Sequence, residues 1–221
     1  MCTVSWRQQP GGYLLLCNRD EKRARQPAEA PRVWRRSGLR FLAPRDGEAG
    51  GTWIGVNEYA LSLCLLNGPG GGGVRSRGWL VWDLLDARTP EDVAARMDAS
   101  DLAPFVLLAL APDQKPLVIE WDGAGRRTVD ATVPLVSSSV EPEAVAAARR
   151  AEFAAGADLA SFHRSHAPEP GPYSVCMHRT DACTVSFSRV RVRRGVAELL
   201  YRPGALCEPA AAVTRRLRCR S

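Results

Sequence analysis

The sequence predicts an α+β fold of stacked, mostly antiparallel sheets flanked by a few helices. Three observations carry this prediction. Apolar strand-like runs come in pairs separated by turn residues. Helical signals are few and fall only after residues 76, 89 and 141. Strands and helices never alternate in the βαβ rhythm that a doubly wound sheet needs. The 221 residues are enough to bury one substantial core. A single domain is expected over residues 1–212, followed by a basic tail, residues 213–221, that is expected to fray.

The first strand pair opens the chain. Residues 2–6 alternate, with Cys2, Val4 and Trp6 on one side and Thr3 and Ser5 on the other. Pro10-Gly11-Gly12 marks a turn, and the continuous apolar run 13–17 predicts a strand buried on both faces. That strand runs into Asn18-Arg19-Asp20-Glu21, so an antiparallel partner brings Cys2 beside Arg19 and Asp20. Residues 22–50, rich in Pro, Arg and Glu, predict a loop with at most a short strand near 40–42. A second hairpin is expected around Asn57-Glu58, ending at Asn67-Gly68. Glycines 70–73 lack the Gly-Lys-Ser/Thr of a phosphate-binding loop and predict a flexible loop at a pocket rim.

Helices are expected over 79–85 and 90–97, the second with Thr89 as N-cap and Pro90 in its first turn. Residues 105–110, 117–121 and 127–133 read as a meander with turns at Pro112-Asp113 and Asp122-Gly123. Ser137-Ser138-Ser139 leads into an alanine-rich helix from Glu141-Pro142 to about Ala155, stopped by Gly156. A proline-bearing loop then precedes expected strands at 173–177, 183–192 and 196–201.

Composition excludes several classes. Charged residues at 24% and hydrophobic ones at 45% describe an ordinary globular chain rather than a disordered one. No apolar run approaches a membrane span, and no secretory signal pattern is present, so a cytoplasmic protein is expected. The seven cysteines show neither a CxxC pair nor a Cys/His spacing typical of zinc. They are expected as reduced thiols, with no metal and no cofactor. The net charge of +6 comes from dispersed arginines without a nucleic-acid-binding module, so no nucleic-acid partner is expected.

Cys2 is the candidate for chemistry. Removal of Met1 leaves Cys2 with a thiol and a free α-amine, of unperturbed pKa about 8.5 and about 7.7–8.0. Such an amine can serve as the base for its own nucleophile. On its own, Cys2 reads as a buried, inert cysteine at the head of a strand.

The motifs Met1-Cys2-Thr3, Asn18-Arg19-Asp20-Glu21, Gly51-Thr52-Trp53-Ile54-Gly55, Asn67 and Ser76-Arg77-Gly78 resemble, in order and spacing, the NRDE family. That family includes the transport-and-Golgi-organisation proteins. The likeness covers residues 1 to about 80 and extends more thinly to 135–139 and His178-Arg179. The same skeleton is similar to the cysteine N-terminal-nucleophile hydrolases of the choloylglycine and penicillin V acylase group. Gly55-Val56-Asn57-Glu58 and Leu66-Asn67-Gly68 fall where those enzymes carry comparable segments.

The resemblance implies a four-layer αββα fold with an amidase-like pocket at the strand ends. It implies Cys2 as nucleophile, Arg19 as the cation favouring its thiolate, and Asn67 as an oxyanion donor. Either Asp20 or Glu21 would hold the α-amine, because the hydrolases have Arg-Asn-x-Asp at this place. Asn18, Glu21, Trp53, Asn57, Ser138 and Arg179 are the implied substrate-binding residues. Ser138 stands where the hydrolases carry a second asparagine, and Arg179 is the candidate for their late arginine. The activity implied is cleavage of a small amide or acyl substrate through Cys2. The alternative is a non-catalytic binding or trafficking protein for haem or an acyl-CoA or lipid-related ligand.

Overall fold

The computed structural model describes residues 2–71, 73–156 and 158–220. Met1, whose removal the nucleophile reading requires, lies outside the described residues, as do Gly72 of the glycine run, Ala157 and Ser221. β1 (Cys2–Gln9) and β2 (Gly12–Lys22) form the expected opening hairpin across Pro10-Gly11. β1 also pairs with β10 (Leu135–Ser137), and β2 with β11 (Ala182–Arg193). β12 (Val196–Pro203) and β13 (Val213–Arg218) complete a six-stranded sheet in the order β10-β1-β2-β11-β12-β13.

The second sheet has seven strands in sequence order. These are β3 (Glu29–Arg36), β4 (Leu39–Arg45), β5 (Ile54–Asn57), β6 (Ser62–Asn67), β7 (Phe105–Leu110), β8 (Leu117–Trp121) and β9 (Arg126–Val129). Every pairing in both sheets is antiparallel.

Period-two patterning fixes the layers. Cys2, Val4 and Trp6 of β1 and Tyr13, Leu15 and Cys17 of β2 point between the sheets, where they meet Ile54, Val56, Cys64 and Leu66. The outer face of the seven-stranded sheet is covered by α1 (Gly78–Leu84) and α2 (Pro90–Arg96), with Leu80, Val81 and Val93 packed on Phe41, Leu63 and Leu107. The outer face of the other sheet carries α3 (Pro142–Ala154) and α4 (Leu159–Arg164), with Phe153 and Leu159 near Leu16 and Phe187. The stack is therefore αββα. Thr89 caps α2 by accepting the Asp92 N–H at 3.1 Å.

Three expectations are corrected. Residues 22–50 are only partly loop: the strand expected near 40–42 lies within β4, and β3 and β4 form a hairpin across Ser37-Gly38, at φ 49° and 76°. Positive φ at both central residues is the hairpin geometry that matches strand twist. β3 is an edge strand, so its exposed arginines and Pro31 cost no ladder bond on the open side and mask the pattern. The tail does not fray over Val213–Arg218, which bonds along β12 and buries Leu217. Residues 173–177 are irregular rather than a strand, bound instead by Ser174, whose hydroxyl donates to the Gly171 and Cys176 carbonyls. α4 has no counterpart in the sequence reading. Among the described residues no helix is long and apolar enough to cross a membrane, which says nothing of a β-barrel.

Candidate functional site

Cys2 sits where three strands converge, opposite Arg19 on β2 and Ser137 on β10. Its backbone nitrogen donates to Ser137 Oγ at 3.1 Å. Its side chain faces a cleft of about 800 Å³ between the ends of the two sheets. Cys2, Arg19, Asp20, Glu21, Trp53 and Asn67 all line this cleft, as do Arg25, Asp46, Arg75 and Arg77. The four residues expected to carry the chemistry are thus brought to one place. Gly71, Gly73 and Val74 form part of its wall, as the rim expectation had it.

Close backbone packing explains the glycines of two motifs. A Cβ on Gly51 would lie 2.4 Å from the Gly78 carbonyl carbon, so only glycine lets the 51–55 segment meet the start of α1. Thr52 N donates to Gly78 O at 3.0 Å across that contact. The contact sets Trp53 and Arg77 on neighbouring parts of the cleft wall.

Arg19 is already engaged. It forms a buried ion pair with Asp46, and its guanidinium lies 4.3 Å from the centre of the Trp53 ring. Asp46 also binds Arg25 at 2.8 Å and accepts the Ala49 N–H at 2.7 Å. Burial opposes the Asp46 charge, yet these hydrogen bonds and the two arginines hold its carboxyl below the usual range. The Cys2 thiol is pushed well above its ordinary value, first by its hydrogen bond with the Cys17 thiol and then by burial. It rests as a neutral thiol, in a run of buried thiols that continues from Cys17 to Cys64.

Asp20 is fixed from the helical side. Arg149 of α3, wholly buried, donates to its Oδ2 at 3.0 Å, and Thr184 Oγ donates to its Oδ1 at 2.7 Å. A β-bulge on β11 between Thr184 and Ser186 lies directly opposite Asp20 and Arg19. Such a bulge re-aims the side chains beside it. Glu21 stays at the rim, 3.6 Å from Arg25.

Four implied binding residues lie elsewhere. Asn18 is buried against α4, where its Nδ2 donates to the carbonyls of His163 and Val175, both at 2.9 Å. Asn57 shapes its own turn: Oδ1 accepts from Tyr59 N and Leu61 N, and Nδ2 donates to Leu85 O and Ala87 O. Ser138 folds into a local turn, its hydroxyl donating to Val140 O at 2.6 Å, and the neighbouring Ser137 meets Cys2 instead. Arg179 pairs with Asp181 at 2.8 Å in the turn before β11, beside a separate surface depression. Each of the four is displaced by a local turn or by strand alternation, neither of which a motif match reports.

The sequence reading missed Asp46, Arg149 and Arg77. Asp46 and Arg149 come from the 22–50 segment and an alanine-rich helix, where charge is ordinarily solvated. Arg77 was visible within Ser76-Arg77-Gly78 but carried no role. It donates to Pro104 O at 2.8 Å, is half-buried, and forms no ion pair among the described residues. Burial lowers its pKa while the nearby Cys2 and Glu21 oppose that effect. The Asn67 side chain makes no hydrogen bond within the described residues. Arg77 and Asn67 therefore each keep hydrogen-bonding capacity for a ligand in the cleft wall.

A family model described as Transport and Golgi organisation 2 matches residues 1–139. Among curated proteins no sequence match is found. Solved structures share the fold. A mutant of the conjugated bile acid hydrolase from Clostridium perfringens has TM-score 0.58 at 14% identity, covering 96% of this chain and 92% of its own. Penicillin V acylase from Agrobacterium tumefaciens has TM-score 0.57 at 12% identity, covering 95% and 84%. The Caenorhabditis elegans orthologue of N-acylethanolamine-hydrolyzing acid amidase has TM-score 0.61 at 13% identity, covering 86% and 92%.

Proposed function

Starting from a chain that belongs to the Transport and Golgi organisation 2 family, we propose an N-terminal-cysteine amidohydrolase-like protein acting on a small amide or acyl substrate. The observation that carries this reading is the convergence of Cys2, Arg19, Asp20 and Asn67 on one cleft. In it, loss of Met1 turns the Cys2 nitrogen into an amine. The thiol passes its proton to that amine as Sγ bonds to the substrate carbonyl carbon. The Asn67 amide donates to the oxygen as it becomes negative, an interaction of a class worth about 2.7–4 kcal/mol. The amine then delivers the proton to the leaving nitrogen as the C–N bond breaks. Water, deprotonated by the same amine, hydrolyses the thioester, frees the acid and restores the thiol. Arg19, paired with Asp46, acts by holding Trp53 and the cleft wall in place.

The test is the intact mass of the mature protein before and after incubation with a panel of N-acyl amides. Loss of Met1, an acyl adduct on the Cys2 peptide, and no turnover in Cys2→Ser are expected. A retained Met1 with no adduct from any substrate refutes the reading.

A second reading is favoured by Arg77, a half-buried cation of the cleft wall that forms no ion pair among the described residues. In it the cleft binds an acyl-CoA or haem without turnover, with an acidic group of the ligand on Arg77. Saturable binding of acyl-CoA, equal in the Cys2→Ala variant and weakened by Arg77→Ala, would support this second reading over the first.

A further inference from the structure

Away from the cleft, four side chains from three separate turns meet beside the start of β11 and the end of β12 in the six-stranded sheet. His166 follows α4, Cys176 and His178 precede β11, and Cys207 lies between β12 and β13. One donor atom from each lies within 4.8 Å of all the others. Cys176 Sγ is 3.5 Å from Cys207 Sγ and 3.6 Å from His178 Nε2, and His178 Nε2 is 3.2 Å from Cys207 Sγ. A tetrahedral zinc ion with Zn–S about 2.3 Å and Zn–N about 2.0–2.1 Å spaces its donor atoms by roughly 3.3–3.8 Å. Three edges of that tetrahedron are thus already close to their final lengths.

The fourth corner is His166. Its ring packs edge-on to His178, with centroids 5.1 Å apart, and its Nε2 is buried without a hydrogen-bond partner. A buried polar atom left unmatched calls for an explanation, and an absent ion is one of the few available. Two thiols and two imidazoles form a donor set that suits zinc and disfavours magnesium or calcium. From this geometry we propose that His166, Cys176, His178 and Cys207 form a structural Cys2His2 site for Zn²⁺.

With four protein ligands the site is closed, so it holds structure and leaves no position for a substrate. Binding displaces one proton from each thiol to solvent, and two thiolates with two neutral imidazoles leave the bound Zn²⁺ with no net charge. No electron is transferred.

Its position gives the ion a purpose. Cys176 N donates to Ser165 O at 2.9 Å, and the neighbouring Val175 O accepts from Asn18 Nδ2. Met177 N donates to Thr184 Oγ, the hydroxyl that itself donates to Asp20. Zinc would therefore pin the irregular 165–178 segment to the far end of β12, and that segment backs Asn18 and Asp20 from behind. The sequence hides the site because its spacings, with nine, one and twenty-eight intervening residues, match no short zinc motif. The earlier expectation of no metal rested on those spacings alone.

The proposal stands independently of any reaction at Cys2. It is tested on the full chain, purified with reductant and supplied with Zn²⁺, by native mass and elemental analysis. One Zn²⁺ per chain is expected, retained in Cys2→Ala and lost in both His166→Ala and Cys207→Ser. Cys207 is exposed, so that variant keeps its fold. Chelation should lower the melting temperature, and Zn²⁺ should restore it. Co²⁺ added to the metal-free protein should give sulfur-to-metal charge transfer and tetrahedral ligand-field bands, both absent in Cys207→Ser. A reduced, folded protein that takes up neither metal overturns the proposal, as does metal binding that survives both variants. A Cys176–Cys207 disulfide, with no metal uptake after its reduction, overturns it equally.

Discussion

Acid should weaken this fold through one histidine before it touches the carboxylates. His163 is fully buried between α4 and the six-stranded sheet, its ring 5.2 Å from Phe162 and 5.8 Å from Phe187. Asn18 uses its Nδ2 on two carbonyls, so its Oδ1 must accept from His163 Nδ1–H at 2.9 Å. His163 Nε2 is then left as acceptor for the Ser5 hydroxyl at 2.8 Å. The imidazole is neutral, with a pKa pushed down to about 3, first by burial and then by the Arg149 charge. The unfolded chain takes up that proton near pH 6.5. Because the folded pKa is the lower one, the stabilisation is complete above pH 6.5 and is lost as pH falls from there towards 3.

For a folded pKa of about 3, roughly 2 kcal/mol is gone by pH 5. That is a large share of a typical 5–15 kcal/mol of stability. Urea unfolding of the wild type and His163→Gln at pH 7.5, 6 and 5 measures it. The wild type should lose about 2 kcal/mol more than the variant over this range, because Gln has no proton to gain. All other groups are common to the two proteins and cancel in the comparison. Parallel losses in the two proteins would refute the reasoning. So would a His163 ring signal that titrates above pH 5.

Three further substitutions probe the frame around the site. Arg149→Met leaves the buried Asp20 without its cation and should cost about 3–5 kcal/mol in urea unfolding. The Asp20→Asn/Arg149→Met pair should cost less than the two single changes summed, and strict additivity would show that the ion pair does not couple them. Gly51→Ala places its methyl group 2.4 Å from the Gly78 carbonyl carbon and should destabilise by about 1–3 kcal/mol while shifting Trp53 fluorescence. An unchanged melting curve would mean that the 51–78 contact is loose.

The legible part of the fold was the part whose side chains alternate cleanly against a core. β1, β2, β5, β6, β7 and β11 bury one or both faces, so their apolar periodicity survives in the sequence. β3 and β13 are edge strands rich in arginine, and their stability comes from backbone pairing that composition does not record. α4 spans only six residues, too few for a periodic signal, and is set instead by its Asp158 cap. Cys2, Arg19, Asp20 and Asn67 could be placed together because a hairpin register and two strand ends fix them. Arg149 and the four zinc ligands could not, since each reaches its place through long-range packing of helices and turns.

The Asn18-Arg19-Asp20-Glu21 motif shows why neighbouring residues in a motif need not share a task. It lies on a strand, so successive side chains leave opposite faces. Arg19 and Glu21 turn towards the cleft between the sheets, where Asp46 and Arg25 await them. Asn18 and Asp20 turn towards the helices, where His163, Arg149 and Thr184 hold them. Asp20 still reaches the cleft wall, because the bulge on β11 interrupts the regular register beside it. One half of the motif thus shapes a binding surface, while the other half locks β2 to the layer behind it. A change in either half should be felt by Cys2, which pairs with β2 directly at Arg19. The two halves differ in what else moves. Loss of Arg19 or Glu21 should alter ligand binding with the fold kept, whereas loss of Asn18 or Asp20 should appear first as lost stability.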